Sequence, residues 1–163
     1  TLDLKAQFRK GAVDVILTTE PVAEEGGTEL LEVPLRWYGA PGGQAWRANS
    51  LPVAFCSHCA FRPATIAALD GAGIDWTLAL ISESDRAVEV AVCADLAVTA
   101  VMEGHAPAQY ERVPASAPLP ELGTQKVILY QGSARPQILD PLTHFLRAEF
   151  AALSGSAPAL AAQ

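Results

Sequence analysis

The sequence predicts an α/β protein, and three observations predict it. From Leu51 to Met102 the chain alternates strand, helix, strand, helix, strand, the order that builds a parallel sheet covered by helices. The first twenty residues read as helix, tight turn and strand. Half of the 163 residues are apolar, enough for the core of one ordinary domain or of two small lobes.

The elements follow in order. TLDLKAQFRK places Leu2, Leu4 or Lys5, and Phe8 on one helical face, with Thr1 where an N-cap belongs and Gly11 where a left-handed C-cap ends the helix. DVILTTE is a buried strand. ELLEVPLRWYGAP is extended, with Pro34 marking an edge or bulge, and PGGQAWRANS is loop. LPVAF is a strand, PATIAALDGAG a helix closed by Gly71 or Gly73, and DWTLALI a strand rich in β-preferring residues. ESDRAVEVAVCADL is an amphipathic helix with Ser82 or Ser84 as N-cap, and AVTAVM is the next strand. VPASAPLP reads as linker, TQKVILYQ as a strand and PQILDPLTHFLRAEFAAL as a last helix. SGSAPALAAQ carries no periodicity and is expected to be disordered.

Composition excludes several functions. A net charge of −7 gives no surface for phosphates, because nucleic-acid affinity rests on Lys and Arg. No apolar run approaches the roughly 18–20 residues of a membrane span, and no export signal opens the sequence. Three cysteines make no disulfide framework and fit a reduced, cytoplasmic compartment. Glu24, Glu25, Glu29 and Glu32 read as a solvated edge, and no Gly-rich phosphate loop or Ser-His-Asp order stands out.

VAFCSHCAFRP is the stretch with chemistry in it. It lies at the carboxyl end of a predicted strand and the start of a helix, where an α/β sheet binds ligands and free backbone N–H groups can hold a small anion around Ser57 to Cys59. A strand feeding C-x-x-C into a helix is also the local arrangement of thiol–disulfide oxidoreductases, with Cys56 as nucleophile and Cys59 as resolving thiol. A zinc site needs about four ligands, and the sequence offers His58 and then Cys93 or His105 beside the two thiols, so no metal and no cofactor are assigned. The plainest reading packs one cysteine as a small hydrophobe while Ser57 and His58 line a cleft.

The order KGAVDVIL, PLRWYGAPGG, LPVAF with its polar turn, a helix ending in LDGAG, a strand, a Ser-capped helix and AVCADLAVTAVM resembles the effector-binding domain of LysR-type transcriptional regulators. The resemblance covers roughly Thr1 to Leu153. It implies a type 2 periplasmic-binding-protein-like fold of two lobes, each a mainly parallel sheet flanked by helices, with a small effector bound between them. Lobe one would hold residues 1–33 and 106–153, and lobe two residues 35–102, with crossings near Val33 to Arg36 and Val101 to His105. The first strand, helix and strand of lobe one and a DNA-binding winged helix-turn-helix would lie outside this sequence. Two departures stand out: Asp95-Leu96-Ala97 replaces the family's G-L-G, with a left-handed turn kept at Asp95, and the turn before the lobe-two helix carries Cys56, Ser57, His58 and Cys59 instead of a proline and a carboxylate.

What the resemblance implies is a non-enzymatic sensing domain of a cytoplasmic regulator. Its partners would be a small, carboxylate-bearing effector, DNA through the other domain, and copies of itself in a homodimer or homotetramer, with no membrane. The expected effector-binding residues are Thr1, Thr19, Cys56, Ser57, His58, Cys59, Phe61 and Thr99. Each has a plainer alternative: Thr1 as N-cap, Thr19 as a structural strand end, Phe61 and Thr99 as core. His105 is expected in the hinge loop, His144 on the surface of the last helix, and Trp37, Trp46 and Trp76 in packing. The alternatives in other classes are the thiol–disulfide oxidoreductase and a periplasmic solute-binding protein.

Overall fold

A computed structural model describes residues 2–134 and 136–155. The chain divides into two compact units. The first is discontinuous in sequence, ending at Val33 and resuming at Thr124, and the second runs from Pro34 to Gly123.

In the first unit, α1 (Leu2–Arg9) leads through Gly11, at φ +69°, into β1 (Val15–Glu20). The left-handed turn expected at that glycine is present. β1 pairs antiparallel with β7 (Thr124–Gln131) from Val15 opposite Gln131 to Glu20 opposite Lys126. β7 lies between β1 and the opening half of a 13-residue strand, β2 (Gly27–Gly39). Ile16, Ile128 and Tyr130 form the small core, with Phe8, Val13 and Ala23 packed on it. Gly27 is required by close approach, since a Cβ there would lie 2.7 Å from a methyl of Ile128 and 2.8 Å from the Tyr130 ring. α4 (Pro136–Gly155) buries Leu139 and Thr143 and leaves Ile138, Leu142 and Phe145 exposed.

A charged cluster crosses this unit. Lys5 is buried, its ammonium bonded to Glu20, 2.8 Å from Glu24 and 5.0 Å from the centre of the Tyr130 ring. Burial, the largest single influence, lowers the Lys5 pKa, and the hydrogen bonds to Glu20, Glu24 and Tyr130 outweigh it, so the net shift is upward. Thr18 donates its hydroxyl to Glu20 at 2.5 Å, and Arg9 reaches Glu24 at 2.9 Å.

In the second unit the expected strand–helix alternation appears as β3 (Leu51–Cys56), α2 (Arg62–Gly71), β4 (Trp76–Ser82), α3 (Asp85–Cys93) and β5 (Thr99–Met102). β3 and β4 are parallel, from Leu51 opposite Trp76 to Cys56 opposite Ser82. The start of the next strand joins β3 in parallel at Val98, whose carbonyl accepts the Ala54 N–H at 3.0 Å. β5 then pairs antiparallel with β2, Leu35 opposite Met102 to Tyr38 opposite Thr99, and the short β6 (Glu111–Arg112) pairs antiparallel with the end of β2. The parallel order predicted for Leu51 to Met102 thus holds for β3 and β4, while the ladders made by β1, β2, β6 and β7 are antiparallel.

Leu35, Trp37, Leu51, Val53, Phe55, Leu69, Val98 and Ala100 make the larger core, extended by Val113 and Leu122. These last two correct the expected division at residues 106–123. That stretch belongs with the second unit, because Val113 and Leu122 are buried in its core and the Pro120 carbonyl accepts the Trp37 indole N–H at 2.9 Å. Asp95 is the single non-glycine residue at positive φ, +56°, among the described residues, as its place in the turn predicts. Its carboxylate accepts the N–H groups of Gln44 at 2.7 Å and Ala45 at 3.0 Å, closing the loop that a short 3-10 turn (Ala45–Arg47) occupies. Among the described residues no helix is long and apolar enough to cross a membrane.

Candidate functional site

The site forms where β3 and β4 end. Cys56 is the last residue of β3, Ser57 and His58 make the turn that follows, and Asp85 opens α3 three residues after β4 ends. The Ser57 N–H donates to the Ser82 carbonyl at 2.8 Å and ties the two strand ends together. The Cys59 N–H donates to the Cys56 carbonyl at 3.1 Å, folding the turn so that His58 returns over Cys56. Both ring nitrogens of His58 stand 3.6 Å from Cys56 Sγ, and ligand atoms of Cys56, His58 and Asp85 all lie within 4.8 Å of one another. The sulfur is buried while the imidazole and the carboxylate are exposed.

Burial pushes the Cys56 thiol above its ordinary pKa; a hydrogen bond and the negative charge of Asp85 push the same way, against opposing backbone N–H groups of His58 and Ser57. The thiol–disulfide reading needs the reverse, an accessible thiol with a lowered pKa. Cys56 is only 7% exposed, and all three cysteines are free. Two amides of the expected anion cradle are already used, because the Ser57 and Cys59 N–H groups are bonded to carbonyls, and a carboxylate stands at the site.

The described residues among the eight expected to touch an effector fall in several elements. Cys56, Ser57 and His58 share the turn. Cys59 and Phe61 are half-buried and pack against the larger core, with the Phe61 carbonyl accepting both the N–H and the hydroxyl of Thr65. Thr99 is buried at 5% exposure at the start of β5, as its plainer reading has it. Thr19 lies in the first unit, opposite Val127 on β1. Thr1 lies outside the described residues, as does most of the tail from residue 156. His105 and His144 are exposed, Trp37 is buried, and Trp76 bonds Asp70 at 2.8 Å.

Asp85 is the residue that sequence reasoning missed. Its signal was available, since a helix that starts directly after a parallel strand brings its first residue to the same sheet end as the preceding strand's turn.

No family model matches this sequence, and no curated protein matches it. Solved structures do. The reduced regulatory domain of OxyR from Pseudomonas aeruginosa matches with a TM-score of 0.60 at 23% identity, covering 91% of this chain and 79% of that one. Full-length HypT from Salmonella typhimurium, a hypochlorite-specific LysR-type transcriptional regulator, matches with a TM-score of 0.66 at 13% identity, covering 93% of this chain and 57% of that one. Full-length CbnR complexed with its target DNA matches with a TM-score of 0.61 at 15% identity over 89% of this chain and 55% of that one. The chain therefore has the fold of LysR-type regulatory domains, the type 2 periplasmic-binding-protein-like fold, and spans just over half the length of the full-length regulators it matches.

Proposed function

We propose that this chain is the ligand-sensing domain of a LysR-type transcriptional regulator, a cytoplasmic, non-enzymatic module that binds a small effector and works in a homo-oligomer. DNA contact would belong to a separate domain, since the acidic surface of this chain offers no phosphate-binding face. The observation that carries the reading is the fold likeness to an isolated regulatory domain over 91% of the chain. The turn at Ser57 and His58 supports it: polar and exposed, it stands at the carboxyl ends of parallel strands, where this class of sheet receives ligands. The chemistry of that turn favours an effector that donates hydrogen bonds or binds soft donors. A carboxylate-bearing effector would need donors other than the Ser57 and Cys59 amides.

An effector regulates only through different affinities for two states, so it must stabilise the form it binds. Thermal unfolding of the chain against a panel of small metabolites is expected to give one class that raises the melting temperature. Ser57→Trp and His58→Trp, both at exposed positions, are expected to abolish that rise while leaving the ligand-free melting temperature unchanged. A rise that persists in both variants would remove the turn from the effector site.

A further inference from the structure

Cys56, His58 and Asp85 are a set of three different donors, a sulfur, an imidazole nitrogen and a carboxylate oxygen, and they converge. A tetrahedral zinc ion with a thiolate at about 2.3 Å and an imidazole nitrogen at about 2.05 Å holds those two atoms about 3.6 Å apart. Cys56 Sγ stands 3.6 Å from both nitrogens of His58 and so faces the ring between them; the exposed imidazole turns to aim one nitrogen at the ion, within a set of ligand atoms that already lie within 4.8 Å of one another. A thiol–imidazole hydrogen bond would account for that pair alone, but it does not account for Asp85. A carboxylate beside a buried sulfur disfavours the thiolate, whereas a divalent cation between them makes both charged forms favourable together. The three donors come from a strand end, the turn after it and the first residue of a helix, and the bond from Ser57 N–H to the Ser82 carbonyl fixes the strand ends that carry them.

The geometry points to a three-ligand site for a borderline divalent cation, zinc above all, held by Cys56, His58 and Asp85 with a fourth position open to water or to an exogenous ligand. Thiolate and imidazole select zinc or cobalt over magnesium and calcium, which take oxygen ligands. Exposure of His58 and Asp85 gives the ion a path from solvent. The site needs only the second unit's own residues and stands whether or not the chain senses an effector.

The test is a titration of the full 163-residue chain, stripped with EDTA, with Co²⁺. Expected are a thiolate-to-cobalt charge-transfer absorption in the near ultraviolet and strong visible bands of a four-coordinate ion, both bleached by Zn²⁺ and untouched by Mg²⁺ or Ca²⁺. Cys56→Ser is expected to remove the charge-transfer absorption, and Cys59→Ser and Cys93→Ser to keep it. His58→Ala and Asp85→Asn change exposed side chains, so the fold survives, and each is expected to weaken Co²⁺ binding by roughly tenfold or more, at least the cost of losing an outer-shell partner. No charge-transfer absorption in the parent chain, its survival in Cys56→Ser, or unchanged affinity in either His58→Ala or Asp85→Asn overturns the site. Should Cys56→Ser fail to fold, the two exposed variants decide.

Discussion

The Lys5 cluster of the first unit and the Cys56 cluster of the second differ in how fully their charged or ligating side chains are satisfied. In the first unit, Lys5 is enclosed by Glu20, Glu24 and Tyr130, and Glu20 also accepts from Thr18, so each buried charge meets an opposite charge or a donor. In the second, Cys56, His58 and Asp85 converge at a sheet end, and two of them face solvent. Buried charges are kept only when they are paired. The first cluster is therefore a structural joint between α1 and β1. The second is a set of donors displayed at a sheet end, which is what a binding site requires.

The comparison is broken most severely by Lys5→Met. Glu20 would remain buried without its cation, and the chain is expected to lose roughly 3 kcal/mol of stability by urea denaturation. Adding Glu20→Met to it should recover most of that loss, because the pair is then replaced by apolar side chains. A single variant as stable as the parent would show that the joint contributes nothing.

Acid sharpens the same contrast. The hydrogen bond from Lys5 holds the Glu24 carboxyl below its ordinary value of 4.5, with Arg9 adding to the effect against desolvation. A depressed carboxyl contributes stability that is complete above its unfolded pKa and lost as pH falls through the folded one. The urea midpoint of the parent chain should therefore drop as pH falls below 4.5, and Glu24→Gln should flatten that drop. An identical acid profile in the variant would assign the acid sensitivity elsewhere.

The smallest effect is kinetic. Burial, with Asp85 beside it, keeps Cys56 as thiol, whereas Cys93 is exposed, so alkylation at neutral pH should modify Cys93 first and Cys56 last. Asp85→Asn should speed the reaction at Cys56. Modification of Cys56 ahead of Cys93 would restore the nucleophile reading.

Much of this was legible in the sequence because local signals governed it. Apolar periodicity placed the helices and strands, Gly11 and Asp95 announced their left-handed turns, and the C-S-H-C stretch declared a strand end with donors. What escaped notice depended on pairing between distant segments. Asp85 joins the turn only because β4 lies beside β3, a contact no short motif records. VPASAPLP has a linker's composition, yet its first residue, Val113, and Leu122 just after it are core residues, and with the Pro120 carbonyl bonded to Trp37 they hold a Pro-rich stretch against the second unit. The antiparallel ladder of β1 and β7 has the same character, since nothing in VILTTE names TQKVILYQ as its partner.

That ladder bears on how the protein is made. Glu24 and the Tyr130 hydroxyl that receives its N–H are 106 residues apart in the chain. At about 5–20 residues per second, a ribosome takes roughly 5–20 s to supply the second after the first. For that interval β1 has no strand to pair with, while the contiguous stretch from Pro34 to Gly123 can emerge and collapse by itself. Vectorial synthesis thus imposes an order of assembly, the inserted unit before the unit that flanks it. A nascent chain stalled before Thr124 would display an orphan strand, the kind of edge that chaperones exist to cover.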